Sequence, residues 1–291
     1  MHTSAHTLIN PQNGNLAFKL LAFEDNTCFD HIQRHNYYSI IWVMEGSGHL
    51  RVDVSAYDFE GGNLFFFSPY QPFMIERANG IKGVALHFHP DFFCIHKHQA
   101  EVTCNGVLFN NIYEPPFIAI DEAAKSALRP LLQQMETELQ NPALAQYELL
   151  VSYLKIFLIT ATRIKVVQQP QAMAQAVDIK EPFVLQNLKE AIETHYRTKH
   201  SASDYANMLN ISAKALAKAA KNYFAKTLTD LISERIIIEA KRELYLTAKP
   251  VKQIAYELGY DDEFYFSRFF KARADVSPQL YRETVGQAKG M

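Results

Sequence analysis

Short apolar runs separated by glycine-rich breaks fill the chain from about residue 16 to residue 90. The stretches "YYSIIWVMEGSGHLRVD" (37–53), "YDFEGGNLFFFSPYQPFMIE" (57–76) and "KGVALHF" (82–88) are rich in aromatic and β-branched residues, which is typical of strands. We expect hairpin turns at 46–48 and 61–63, where glycines cluster. Many short strands at this spacing predict a β-sandwich or a small β-barrel.

Helical periodicity replaces the strand pattern near residue 121, in "DEAAKSALRPLLQQMETELQ" (121–140) and "PALAQYELLVSYLKIFLITATRIKVV" (142–167). The second segment carries two adjacent apolar stripes, at Leu149, Tyr153, Ile156 and Phe157 and at Leu150, Leu154 and Leu158. So wide an apolar face predicts either a helix of a second subunit packed on it or burial between two domains.

These patterns predict four regions along the chain. Residues 1–120 form a strand-rich domain and residues 121–166 a helical dimerisation segment. The glutamine-rich stretch 167–180, which contains Pro170, is predicted to be a linker. Residues 181–291 are helical in pattern and form the last domain.

The last domain contains a weak internal repeat, because "DYANMLNISAKALAKAAKNYF" (204–224) can be laid over "QIAYELGYDDEFYFSRFFKAR" (253–273). The alignment pairs Ala206 with Ala255, Leu209 with Leu258 and Asn210 with Gly259. Asn and Gly are the residues that best tolerate a left-handed conformation after a helix. Each copy therefore predicts a helix–turn–helix, whose second helix can enter the major groove of DNA.

The connector between the two copies, residues 227–247, has an apolar stripe along its whole length. As one helix it would span ~31 Å. Successive major-groove segments on one side of B-DNA are ~34 Å apart. One chain could therefore place a second helix in each of two adjacent segments.

Charge is divided unevenly along the chain. Residues 1–179 hold 11 Lys and Arg against 17 Asp and Glu, a net charge of −6, whereas residues 180–291 hold 18 against 14, a net of +4. A polyanionic partner is therefore expected to meet the C-terminal region.

The composition favours a protein of the cytoplasm. The N-terminal segment does not show a signal-peptide pattern, and the longest apolar stretch, 149–162, is too short to span a bilayer. Three cysteines without metal-finger spacing favour reduced thiols.

Residues 183–284 are similar to the DNA-binding domain of the AraC-type transcription regulators. The segment "IAYELGYDDEFYFSRFFKARADVSPQLYR" (254–282) matches the signature of that family closely, and the first copy matches it more loosely. The resemblance implies double-stranded DNA as a partner. Family members commonly carry a glycine after each recognition helix, whereas Ala225 and Asp275 stand near those positions here.

In the first copy, Lys214, Lys218 and Lys221 fall on one face of the second helix. They predict contacts to phosphates, with Lys214 or Lys218 reaching a guanine edge, or else a solvated charged face. The many alanines of this helix offer at most contacts to thymine methyl groups.

In the second copy, Phe266, Phe269 and Phe270 are predicted to be core residues. The outward face, which is the candidate DNA-contacting face, then holds Glu263, Phe264, Ser267, Arg268 and Lys271. Arg268 could contact a guanine or a phosphate, and Glu263 could accept from a cytosine amino group or stay solvated. Asp261 or Asp262 is expected to cap the helix.

Residues 34–90 resemble, more loosely, the cupin-type barrel that often precedes this DNA-binding domain, through "RHNYYSIIWVMEGSGHLRVD" and "GGNLFFFSPYQPF". Metal-binding cupins have histidine where this chain has Tyr37 and Phe73. The difference disfavours a metal site, a cofactor and an enzymatic function. It leaves an aromatic-lined barrel suited to a small-molecule effector, with His35, Tyr37, Trp42 and His87 as candidate pocket residues.

The stretch "HFHPDFFCIHKHQAEVTC" (87–104) is dense in possible metal ligands, namely His87, His89, Cys94, His96, His98 and Cys104. It predicts either a site for Zn²⁺ or a similar metal, or ordinary loop and edge residues. The spacing matches no standard site, so we expect the second.

We therefore expect an α+β multidomain protein, with an N-terminal cupin-like β-barrel and flanking helices. A C-terminal all-α domain would contain two helix–turn–helix motifs joined by a long helix. The expected function is a cytoplasmic, sequence-specific DNA-binding transcription regulator, a homodimer whose barrel senses a small molecule, with RNA polymerase as a candidate further partner. The alternatives are a constitutive regulator with a purely structural barrel and, less favoured, a metal-dependent cupin enzyme.

Overall fold

The structure, a computed structural model, describes residues 5–12, 14–96, 107–175 and 183–285, and the side chains at 169–175 and 183 lie outside that description. The chain divides into two compact units. Unit 1 comprises residues 1–111 and 115–170, and unit 2 comprises residues 112–114 and 171–291. The division at Pro170 and Gln171 falls inside the predicted linker 167–180.

Unit 1 is built on one antiparallel sheet, as expected for a cupin-like domain. Its strands are β1 (Ala5–Ile9), β2 (Leu16–Phe23), β3 (Tyr38–Val52), β4 (Ser55–Glu60), β5 (Asn63–Phe67), β6 (Phe73–Phe88) and β7 (Phe117–Ala119). The strand order is β1-β2-β6-β3-β5-β7, and β4 pairs with β3. Long β3 and β6 pair with each other and form the centre of the sheet.

Each face of the sheet carries its own apolar cluster, because side chains alternate along a strand. The phenylalanine face includes Phe65, Phe67 and Phe73, and the rings of Phe67 and Phe73 stack with centroids 3.9 Å apart. The opposite face, which includes Ile40 and Trp42, packs against two helices and is called the helix-covered face below.

The hairpin turn predicted at 46–48 is wrong. Strand β3 continues through these residues to Val52, and its pairing with β6 shifts register between Val43 and His49. Gly46 has a φ of 89° there, a backbone conformation that favours glycine. The glycines therefore form bulges that bend one long strand, whereas the turn predicted at 61–63 does separate β4 from β5.

Two helices cover the sheet, α1 (Glu122–Gln140) and α2 (Gln146–Gln175). Asp121 caps α1, since its side chain accepts a hydrogen bond from the backbone N–H of Ala124. One stripe of α2, which includes Leu150, Leu154 and Leu158, is buried in the helix-covered face. None of the helices in the described part of the chain has the length and hydropathy needed to cross a membrane.

The predicted linker is helical over its first nine residues, because α2 runs to Gln175. Glutamine and alanine, which dominate this stretch, are strong helix formers, so the loss of apolar periodicity did not mean the loss of helix. Residues 176–180 of the predicted linker lie outside the described residues.

Unit 2 is all-α in the part that the structure describes. Its helices are α3 (Phe183–His195), α4 (Ala202–Met208), α5 (Ala213–Phe224), α6 (Leu228–Leu246), α7 (Val251–Glu257), α8 (Glu263–Ala274) and α9 (Pro278–Val285). Both predicted helix–turn–helix units are confirmed, as α4 with α5 and as α7 with α8. The connector is confirmed as α6, whose 19 residues span ~28 Å.

Residues 112–114 also belong to unit 2. The hydroxyl of Tyr113 donates to Glu193 at 3.0 Å, and Lys226 Nζ donates to the carbonyl oxygen of Ile112 at 3.1 Å. Burial, with the negative charge of Glu193, raises the pKa of Tyr113 well above its usual range. Tyr113 therefore stays protonated and continues to donate.

Candidate nucleic-acid interface and sensor site

The first helix–turn–helix is fixed by caps at both of its helices. Ser201 and Asp204 form a reciprocal capping box at the start of α4, and the hydroxyl of Ser212 accepts from the backbone of Ala215 at the start of α5. Asn210, between the helices, has a φ of 54°. The prediction that Asn210 and Gly259 occupy equivalent left-handed positions is confirmed, because Gly259 has a φ of 80°.

Helix α5 exposes the three predicted lysines and buries Leu216, Ala220 and Phe224. Lys214 and Lys218 make no hydrogen bond or ion pair with the described residues. Lys221 differs, since its Nζ donates to the carbonyl oxygen of Ala225 at the end of the helix, at 3.4 Å. The two lysines nearer the start of α5 are thus the more available for a partner.

The second helix–turn–helix is packed more tightly at its turn. A Cβ atom at Gly259 would collide with the carbonyl oxygen of Arg197, so only glycine fits this position. Asp262, one of the two residues proposed as the cap of α8, accepts from the backbone N–H of Phe264 at 2.7 Å.

The predicted core of α8 is confirmed at Phe266 and Phe270, which are fully buried. The prediction is wrong for Phe269, which is only half-buried and lies beside the ring of Tyr260, with centroids 5.3 Å apart. Each residue of an α-helix is rotated by about 100° from the one before it, so Phe269 falls at the edge of the stripe that buries Phe266 and Phe270.

The opposite side of α8 presents the predicted contact residues to solvent or leaves them half-exposed. Phe264 is 73% exposed and stands next to Tyr265, which is 56% exposed, so two aromatic side chains lie together on this surface. Arg268 and Lys271 are exposed, Glu263 and Ser267 are half-buried, and all four side chains lack hydrogen bonds or ion pairs to the described residues.

A charge cluster joins α6 to α3. Glu239 on α6 is almost fully buried and forms ion pairs with Arg197 at 2.8 Å, Arg242 at 3.1 Å and Arg235 at 3.3 Å. Burial alone would raise the pKa of Glu239, but the three guanidinium charges outweigh it and hold the pKa below its usual range. Because Arg235 also pairs with Glu193 at 2.7 Å, the cluster fixes the helix that connects the two helix–turn–helix units.

In unit 1, three of the four predicted pocket residues come together. The rings of His35 and Tyr37 stack with centroids 4.5 Å apart, and the ring of His87 lies 5.0 Å from that of Tyr37. Trp42 is not part of this group, because it lies on the helix-covered face while His87 lies beside Ser39, on the other face. We call His35, Tyr37 and His87, with Ser39 and Lys19, the histidine cluster.

Lys19 and Ser39 were not predicted from the sequence. Register places Lys19 opposite His87 and His87 opposite Ser39, so the three form one row across β2, β6 and β3. His87 Nδ1 and Ser39 Oγ are hydrogen-bonded at 3.0 Å.

The histidines of this cluster are neutral at physiological pH. Burial, with the charge of Lys19, lowers the pKa of His35 to about 4. Burial, with the charges of His35 and Lys19, lowers the pKa of His87 to about 3. Burial also raises the pKa of Tyr37 to about 12, so the cluster offers neutral hydrogen-bonding groups at the edge of an aromatic core.

The histidine- and cysteine-rich stretch is only partly described. No group of three or more His, Cys, Asp or Glu side chains within the described ranges could hold a metal ion. His89 is buried and faces Asp91 at 3.5 Å. His98 and Cys104 lie outside the described residues.

The comparisons with known proteins agree with the two-unit division. A family model described as an AraC-like ligand binding domain matches residues 25–151, and one described as a helix-turn-helix domain matches residues 205–284. The HTH-type transcriptional activator RhaS of Enterobacter sp. (strain 638) is 23% identical over 255 residues, which are 86% of each chain.

Two further relatives match shorter stretches of the chain. The HTH-type transcriptional activator Btr of Bacillus subtilis (strain 168) is 37% identical over 84 residues, 29% of this chain but only 16% of Btr. The regulatory protein SoxS of Escherichia coli (strain K12) is 30% identical over 102 residues, which are 35% of this chain and 95% of SoxS. These relatives are transcription regulators rather than enzymes, and the chain belongs to the AraC family of DNA-binding transcription regulators.

Proposed function

We propose that the chain is a dimeric, effector-responsive regulator in which α5 and α8 enter successive major-groove segments and contribute unequally. The observation that carries this proposal is the pair of helix–turn–helix units joined by α6, each with an exposed helix face. On α5 the side chains of Lys214 and Lys218, and on α8 those of Arg268 and Lys271, have no partner among the described residues. Unit 1 would sense a small molecule, and the protein would act in the cytoplasm.

The side chains on the exposed faces of α5 and α8 support unequal contributions of the two helices to DNA binding. The exposed face of α5 carries Lys214 and Lys218 among alanines, so it mainly contacts phosphates and positions the protein. The face of α8 carries Arg268 for a guanine edge and Phe264 for a thymine methyl group. Base preference would therefore come mainly from α8.

Binding to a set of operator variants at several salt concentrations tests this assignment. Arg268→Ala should weaken binding to the preferred base by about 1–3 kcal/mol and relax preference at that one position. Lys218→Ala should weaken binding to all variants alike and lower the salt slope by about 1. Arg77→Ala, which removes an exposed arginine from unit 1, is the matched control. Uniform weakening by Arg268→Ala would refute base reading by this residue.

The histidine cluster is the proposed effector site. It joins neutral imidazoles, a phenol and Lys19 to an aromatic core, a combination suited to a small molecule with an apolar part and a hydrogen-bonding group. Native mass spectrometry of the purified protein would report a retained ligand and the subunit number together.

An effector identified in this way can then be tested for coupling. Tyr37→Phe and His35→Gln should weaken its binding, while His49→Gln, which changes a histidine on the far half of β3, should not. If effectors that bind unit 1 leave operator affinity unchanged, the barrel is structural and the regulator is constitutive.

A second copy of the chain is proposed to cover the exposed face of α2. Leu149 and Ile156, seven residues apart and hence on one stripe, are 38% and 49% exposed, while the neighbouring stripe is buried. Ile156→Glu should therefore shift the protein from dimer to monomer in sedimentation velocity experiments. Gln134→Glu on α1 adds the same charge at another exposed position and should leave the dimer intact. A monomeric wild-type protein would refute this part of the proposal.

A further inference from the structure

Unit 1 contains a cleft of about 190 Å³ between α1 and the helix-covered face of the sheet. Its floor is apolar and comes from three strands, with Leu20 and Ala22 on β2, Met44 on β3 and Val84 on β6. The cleft lies on the opposite face of the sheet from the histidine cluster, so it is a separate site. A cavity of roughly 150 Å³ with an apolar lining is large enough to hold a benzene ring.

The wall of the cleft is polar and comes from α1. Arg129, Gln133 and Glu136 line it, and their spacing of four and then three residues puts them on one stripe of the helix. Arg129 and the side chain of Gln133 make no hydrogen bond or ion pair with the described residues, so two adjacent donors face the cleft without a partner.

The two ends of the cleft differ in charge. Arg129 and Glu136 are seven residues apart, which is ~10 Å along the helix axis. Glu136 lies at the β1 side, where His6 Nε2 is 3.7 Å from its carboxylate. One end thus attracts an anion and the other repels it.

From this arrangement we propose that the cleft binds a small monocarboxylic acid with an apolar ring or chain. The apolar body would lie on Ala22, Met44 and Val84, and the carboxylate would accept hydrogen bonds from the guanidinium of Arg129 and the amide of Gln133. A guanidinium presents parallel donors that match a carboxylate. A dicarboxylic acid would place its second charge towards Glu136 and bind less well.

Binding of benzoate to the full-length protein, followed by calorimetry, tests the proposal. Benzamide, which has nearly the same shape but no charge, should bind at least about tenfold more weakly, because a hydrogen bond to a charged group is worth more than a neutral one. Terephthalate should also bind more weakly than benzoate. Equal binding of benzoate and benzamide, or tighter binding of terephthalate, would overturn the assignment.

Substitutions in and outside the cleft test whether benzoate binds there. Arg129→Gln should weaken benzoate binding about tenfold or more, whereas Arg77→Gln, at another exposed arginine of unit 1, should not change it. Ala22→Leu fills the floor with Arg129 intact and should abolish binding. His35→Gln should leave benzoate binding unchanged, which separates this site from the proposed effector site. Unchanged affinity in Arg129→Gln would refute the site.

Nuclear magnetic resonance of methionine methyl groups gives a readout that does not depend on affinity. Benzoate should shift the methyl signal of Met44, which lines the cleft, and not that of Met74, which does not. A shift confined to Met74 would place the ligand elsewhere and overturn the proposal.

Discussion

Helices α5 and α8 both end on a non-glycine residue in the left-handed conformation. Ala225 follows α5 with φ 56° and ψ 14°, and Asp275 follows α8 with φ 60° and ψ −4°. This backbone conformation brings Cβ close to the following carbonyl oxygen, which costs an ordinary residue about 1–2 kcal/mol. Replacing Ala225 with glycine should therefore stabilise unit 2.

The size of the gain follows from two opposing effects. Ala225→Gly removes about 1–2 kcal/mol of strain but adds about 0.4–1 kcal/mol of backbone entropy to the unfolded chain. Ala225 is exposed, so no packing is lost. The net increase in the free energy of unfolding should be about 0.5–1 kcal/mol. Asp275→Gly should gain less, because aspartate tolerates this conformation better than alanine does.

Urea unfolding followed by circular dichroism at 222 nm measures the effect. The chain has one tryptophan, Trp42, which lies in unit 1, so its fluorescence midpoint should not move and serves as an internal reference. Ala217→Gly is the matched control, since it makes the same replacement at an exposed position inside α5 and should cost about 1 kcal/mol. The reasoning is refuted if Ala225→Gly lowers the dichroism midpoint as Ala217→Gly does.

Three other outcomes are expected. Gly259→Ala should destabilise unit 2 by about 2–4 kcal/mol in the same dichroism assay, because it adds left-handed strain to a collision with backbone at the end of α3. Glu239→Gln should cost about 1–3 kcal/mol at pH 7, since Arg235, the most buried of the three guanidinium groups, would keep only Glu193 as its anion, while Arg197 and Arg242 are partly exposed to water. Because the pKa of folded Glu239 lies below its unfolded value of about 4.5, the difference between wild type and Glu239→Gln should shrink as pH falls below that value. His35 and His87 have folded pKa values of about 4 and 3, below the unfolded value of 6.5, so protonation favours the unfolded chain as pH drops from 6.5 to 4. The urea midpoint measured by Trp42 fluorescence should therefore fall over this pH range, and it should fall less steeply in His35→Gln.

The helical half of the protein could be predicted in detail because its signals are local. The cap Asp262, the left-handed Asn210 and Gly259, and a 3.6-residue apolar period all fall within a few residues of the element they define. The half-burial of Phe269 was missed because it depends on how neighbouring side chains, here Tyr260, pack at the edge of the buried stripe.

The bent strand β3 shows why the sheet was harder to predict. A glycine pair such as Gly46 and Gly48 is a good signal for a hairpin turn, but it serves equally well for bulges in a long strand. The choice depends on β6, whose residues pair with both halves of β3 and hold it extended past Gly46 to Val52. Ser47, between the two glycines, pairs with Asn79, which lies 32 residues further along the chain, so a short window around the glycines does not contain this information.

The two small-molecule sites proposed in unit 1 also depend on strand pairing between distant parts of the chain, so local sequence predicts them even less well. Lys19 acts on His87 only because β2 and β6 pair in one particular register, and a shift of one residue would send Lys19 to the helix-covered face. The α1 cleft depends on that register too, since Leu20 and Ala22 are the alternating neighbours of Lys19 and Leu21. The register of β2 against β6 thus determines which polar side chains lie beside the aromatic core and which apolar side chains line the cleft below Arg129. Any substitution that slips β2 against β6 should therefore eliminate both sites together, whereas substitutions within either site should leave the other intact.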